Sequence, residues 1–153
     1  MCGIVGGVSK NNNIVPILIN GLEKLEYRGY DSAGIAIINH NRIQRIRSVG
    51  RVSNIHKKIS QKNLKGKTGI GHTRWATHGG VSEKNAHPHI SNNEIVVVHN
   101  GIIENHVKLC DFLKNKNYIF KSETDTEVIA HLIHYFRKNK PSLLEAVHKT
   151  CKK

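Results

Sequence analysis

Met1-Cys2-Gly3-Ile4-Val5-Gly6-Gly7-Val8 opens the chain, and its reading decides what the rest must build. The run from Cys2 to Val8 is apolar and rich in glycine, the composition of a buried strand whose backbone lies close to another element or to a ligand. Cys2 then stands at the tip of that strand. A small side chain at position 2 permits removal of Met1, which leaves thiol and α-amine on one residue. A free thiol ionises near pH about 8.5 and an α-amine near about 7.7 to 8.0, so such an amine can take a proton from its own sulfur near neutrality. Read alone, the same cysteine is more simply a packing thiol.

Outward from this strand, Asn12 and Asn13 are cap candidates for a helix with Pro16 in its first turn and Val15, Leu18, Leu22 and Leu25 on one face. The glycine-punctuated Tyr27 to Gly34 predicts a shaped loop, followed by a buried strand over Ile35 to Ile38. Asn39 to Asn41 reads as a hairpin turn into Arg42 to Val49. Val52, Ile55 and Ile59 suggest a short helix, and Lys65-Gly66-Lys67 a loop. Thr68 to Thr73 and Glu94 to His99 look like strands, separated by a histidine-rich loop. Asn105 to Lys116 carries a helical stripe. Thr124 with Glu127 is a capping-box candidate for the helix bearing Val128, Ile129, Leu132, Ile133 and Phe136, and Ser142 with Glu145 is another after Pro141. Strands flanking helices without regular βαβ alternation predict a layered α+β fold.

A length of 153 residues fits one domain with a real core. Aromatics at 5% leave that core to aliphatic side chains. The net charge of +13 raises the question of nucleic acid. The lysines are scattered, however, without aromatic interleaving and with no basic run longer than Lys57-Lys58 or Lys152-Lys153, so no nucleic-acid partner is expected. Cys2, Cys110 and Cys151 are an odd set without a secretory segment, which predicts reduced thiols and a cytoplasmic location. Cys110 and Cys151 are expected as inert core thiols. Ile95 to Val98 is too short to span a bilayer and residue 2 is not glycine, so no membrane attachment is expected. His72, His78, His87 and His89 match no zinc spacing, and neither metal nor cofactor is expected.

Four further segments carry the chemistry: Tyr27 to Gly34 (YRGYDSAG), His72 to Gly79 (HTRWATHG), His99 to Asn105 (HNGIIEN) and Ser122 to Glu127 (SETDTE). With the opening Met1 to Gly6, and in this order, they resemble the class II glutamine amidotransferases. The resemblance implies an N-terminal nucleophile hydrolase fold, a four-layer αββα sandwich with two antiparallel sheets. It implies Cys2 as the nucleophile and Asn100 and Gly101 as donors to the developing oxyanion. It further implies Arg74 on the α-carboxylate of L-glutamine, Asp125 on its α-ammonium, and Thr77 and His78 completing the substrate loop. Without it, Asn100-Gly101 reads as a tight turn, Asp125 as a carboxylate at a helix N-terminus, and Arg74 as half of a surface ion pair.

Arg28-Gly29-Tyr30-Asp31-Ser32 and Asn85-Ala86-His87-Pro88-His89 look like the branch that makes glucosamine 6-phosphate from fructose 6-phosphate and glutamine. The phosphoribosylpyrophosphate amidotransferase branch is the alternative, as is a glutamine-binding fragment without turnover. The resemblance implies that residues 2–153 form an incomplete glutaminase domain, truncated at its C-terminal end. A sugar-isomerase domain that binds fructose 6-phosphate is then absent, and with it a homodimer contact. Missing strands would leave exposed apolar faces.

Overall fold

The computed structural model describes residues 2–10, 13–76, 79–139 and 141–153. Four strands, β1 (Gly3–Val8), β2 (Ser32–Asn39), β3 (Arg42–Val49) and β4 (Thr68–Arg74), form an antiparallel sheet in the order β1-β4-β2-β3. Helix α1 (Val15–Leu25) lies on one face of it. Its stripe of Val15, Leu18, Ile19 and Leu22 is buried with Ile35, Ile37 and Ile46 of the sheet and with Val52 and Ile55. The latter two belong to the start of helix α2 (Ser53–Lys62), which packs on β3. Period-2 alternation in the strands meets a 3.6-residue stripe in the helix, and burial of both apolar faces holds the layers together.

The β2–β3 hairpin turns through His40 and Asn41, both left-handed (φ 45° and 60°), a two-residue turn whose twist matches that of the strands. Its register pairs Asn39 with Arg42 and Ile35 with Ile46. The strand begins at Ser32, three residues before the predicted Ile35, because Ser32 to Gly34 pair on both sides, with β3 and with β4. Asn13 accepts hydrogen bonds from the N–H of Val15 (3.3 Å) and of Gly66 (3.1 Å), tying the start of α1 to the loop before β4. Asn12 lies outside the described residues.

A second antiparallel sheet pairs β5 (His89–Ser91) with β6 (Ile95–Val97). The predicted strand Glu94 to His99 thus shortens at both ends, and the predicted histidine-rich loop contains β5 and a single 3-10 turn over Glu83–Asn85. Helix α4 (Glu127–Arg137) covers both of these strands and packs against α3 (His106–Lys114) and α5 (Leu143–Cys151). Ser142 and Glu145 form the predicted capping box. Thr124 and Glu127 do not. Thr126 is the N-cap, and the Glu127 carboxylate instead accepts from the N–H of Lys121 and Ser122 and the hydroxyl of Ser122. Cys110 is half-buried beside Leu113, whereas Cys151 is exposed, contrary to its expected core position.

On the face away from α1 the four-stranded sheet meets the chain that leads into β5, and α4 covers β5 and β6. Arg45 donates to the carbonyl of Pro88 and Arg47 to that of Ala86, so β3 grips the chain entering β5. At Gly34 the approach is so close that an added Cβ would lie 2.2 Å from the His87 carbonyl oxygen. Gly34→Ala is therefore expected to destabilise the fold by about 1–3 kcal/mol or more, since a backbone atom must give way. Urea unfolding reads this directly, and an unchanged midpoint would refute the close packing. Ile4, Val8 and Ile38 remain exposed. Among the described residues no helix is long and apolar enough to cross a membrane.

Candidate active site

The antiparallel register that pairs Gly3 with Thr73 brings the start of β1 beside the end of β4. Cys2 therefore sits against Trp75. Its Sγ lies 3.2 Å from the main-chain nitrogen of Trp75, which donates to it, and 3.6 Å from the carbonyl oxygen of the same residue. Asp31 fixes this corner from the other side by accepting the N–H of Ala76 at 2.8 Å and donating its own N–H to the Arg74 carbonyl at 3.1 Å. The Trp75 ring is exposed and meets Tyr30 edge-on.

Strand alternation sends His72 and Arg74 away from α1, since an added Cβ at Gly71, the residue before His72, would touch Leu22 of that helix. Both are buried. The Arg74 guanidinium donates to the carbonyls of Gly79 (3.1 Å) and Gly80 (3.3 Å). Burial lowers its pKa from the ordinary arginine value, opposed by Cys2, Asp31 and Asp125 nearby. Thr77 and His78, between these anchors, lie outside the described residues.

Asn100 and Gly101 follow β6. The Asn100 side-chain N–H donates to the Cys2 carbonyl at 3.0 Å, and its Oδ1 lies 2.8 Å from Nε2 of His72. A side chain at Gly101 would collide with the His99 ring, 2.7 Å from an added Cβ, so any larger residue here would have to displace that ring. Asp125, just before α4, is buried and accepts the Ile103 N–H at 2.7 Å. This bond joins the segment after Gly101 to the start of α4.

Cys2, Arg74, Asn100, Gly101 and Asp125 thereby line one cavity of about 410 Å³, together with Trp75 and His99 among others. Five predicted residues separated by up to 123 positions in sequence converge, which a turn, a helix-end carboxylate and a surface ion pair would not require. The cavity offers a nucleophile, a cation for a carboxylate, an anion for an ammonium, and amide donors beside the sulfur.

Beneath it, His72, His87 and His89 form a buried stack with successive ring centroids 4.1 and 4.6 Å apart. Burial lowers the pKa of all three, that of His72 to about 4, so the stack is neutral at physiological pH. Among the described residues no group of three or more His, Cys, Asp or Glu is placed to hold a metal ion. Sequence reasoning gave Asp31 and His72 no role. The signal for His72 was its i, i+2 spacing to Arg74, which puts both on one face of β4.

A family model for the glutamine amidotransferase domain matches residues 72–149, about half of the chain. Among curated proteins, the glutamine–fructose-6-phosphate aminotransferase (isomerizing) of Haemophilus influenzae is 58% identical over 99% of this chain, and that of Buchnera aphidicola 57% identical over 100%. The chain spans 25% of the length of each of these relatives. Among solved structures, the glutamine phosphoribosylpyrophosphate amidotransferase of B. subtilis aligns with a TM-score of 0.77 at 29% identity, over 99% of this chain and 32% of that one. Sequence match, fold and converging site residues agree: the chain belongs to the glutamine amidotransferase domain family.

Proposed function

We propose that this chain hydrolyses L-glutamine to glutamate and ammonia through a thioester on Cys2, as the glutaminase part of an enzyme that makes glucosamine 6-phosphate. The observation that carries the reading is the convergence of Cys2, Arg74, Asn100, Gly101 and Asp125 on one cavity. Arg74 binds the α-carboxylate of glutamine and Asp125 its α-ammonium, with Thr77 and His78 completing the loop around the amino acid. The Cys2 sulfur attacks the side-chain carbonyl carbon while the N-terminal amine, freed by loss of Met1, takes the thiol proton. Asn100 and the Gly101 N–H stabilise the oxyanion, and the proton passes to the departing nitrogen, which leaves as ammonia. Water, activated by the same amine, cleaves the thioester to glutamate and restores the thiol.

The curated relatives favour fructose 6-phosphate as the ammonia acceptor over phosphoribosylpyrophosphate. A sugar-isomerase domain would supply that acceptor. The test is glutamate release from L-glutamine by protein whose loss of Met1 is verified by intact mass. Arg74→Ala and Asp125→Asn are each expected to raise KM by about 10- to 100-fold, the value of a hydrogen bond to a charged group. No release from folded, processed protein would sink the proposal, and calorimetric glutamine binding without turnover would then identify a binding domain.

A further inference from the structure

The Asn100 side-chain amide can be turned either way in its plane without changing its shape, yet only one orientation leaves an N–H on the cavity side. Its two neighbours decide which. On one side lies the Cys2 carbonyl oxygen, 3.0 Å away, an acceptor that an amide oxygen would repel. The nitrogen must face it, and the amide oxygen then faces Nε2 of His72 at 2.8 Å. An oxygen at that distance needs a donor, so the proton of the His72 ring is on Nε2.

We propose that His72 is a positioning residue for glutamine hydrolysis, its Nε2–H locking the Asn100 amide with one N–H on the Cys2 carbonyl and the other turned to the oxyanion. The inference rests on the glutaminase reading above. His72 is suited to the task because it cannot move: it is fully buried in the centre of β4, paired in register with Ile4 on one side and Gly34 on the other, with its ring stacked on His87. It does not itself line the cavity, and its side-chain hydrogen bond to a residue that does is the one to Asn100. Desolvation holds the ring neutral down to pH about 4, against hydrogen bonds to Asn100 and to the His99 main chain, so the lock persists across the working pH range.

The test compares His72→Gln, whose amide nitrogen falls where Nε2 was, with His72→Asn, whose amide nitrogen falls where Nδ1 was. Gln is expected to retain kcat within about 3-fold, whereas Asn loses about 10- to 100-fold in kcat with the KM for glutamine unchanged, the usual cost of removing a partner behind a reacting group. In an Asn100→Ala background the same exchange should change kcat by less than about 2-fold, because the residue it orients is gone. Equal losses in both backgrounds, or equal losses for Gln and Asn, would overturn the proposal. A long-range proton–nitrogen spectrum of the unmodified protein tests it independently of turnover. Protonated Nε2 supports the lock, and protonated Nδ1 refutes it even if the protein releases no glutamate.

Discussion

Cys2→Ala is expected to lower glutamine hydrolysis by about 10,000-fold or more, because it removes the nucleophilic sulfur and no other thiol lines the cavity. Cys110 and Cys151 line no part of that cavity. Alanine at position 2 still permits loss of Met1, so the variant keeps the free amine and isolates the thiol. The Cys2 sulfur bonds the Trp75 main chain and none of the Arg74, Asn100 and Asp125 side chains, so its removal should leave these three in place. Calorimetry on the variant should therefore still record glutamine binding. Cys2→Ser, a weaker nucleophile in the same position, should fall between the two. Undiminished glutamate release by Cys2→Ala would remove the thioester mechanism altogether, whereas loss of both turnover and binding would point to a damaged site. Burst release of ammonia ahead of glutamate would give a direct kinetic sign of the intermediate.

Much of this arrangement was legible before any coordinates. The stripe Val15, Leu18, Leu22 gave α1, the Asn39 to Asn41 turn gave the β2–β3 hairpin, and Ser142 with Glu145 gave the cap of α5, since each rests on interactions between residues close in sequence. Strand β5 was not legible. His89-Ile90-Ser91 is short and mostly polar, and its two polar side chains are buried because Thr124 and His131 supply hydrogen bonds from 35 and 40 residues away. The capping box at Thr124 failed for the same reason. His89 takes the Thr124 hydroxyl and the Lys121–Ser122 main chain takes Glu127, and pattern reading at i, i+3 does not register such competitors. That Cys2, Arg74, Asn100, Gly101 and Asp125 belong to one site was expected from the motifs, but the contacts of Asp31 with Ala76 and of His72 with Asn100 needed the strand register.

The buried histidine stack is expected to make the stability of the fold fall as the pH drops below about 6.5. In the unfolded chain His72, His87 and His89 take up protons near pH about 6.5, whereas in the folded protein burial holds their pKa values lower, His72 at about 4. Between those values the unfolded chain binds more protons, so stability is full above pH about 6.5 and falls as the pH drops towards 4. Each histidine contributes a slope of about 1.4 kcal/mol per pH unit in that window, and the three act together, which is enough to consume an ordinary domain's stability within about two pH units. His134, also lowered by burial, adds in the same direction. Glu127, held below the usual carboxylate range by its hydrogen bonds despite its burial, adds only below pH about 4.5, so the interval from 7 to 5 isolates the histidines. Urea midpoints across that interval should fall steeply. His87→Phe keeps a ring in the stack and removes a side chain whose nitrogens have no hydrogen-bond partner among the described residues, so its midpoint should depend less on pH by about one histidine's slope. A midpoint flat from pH 7 to 5 would show that the stack titrates as exposed histidines do. A His87→Phe slope equal to that of the unmodified protein would place the acid sensitivity in other groups.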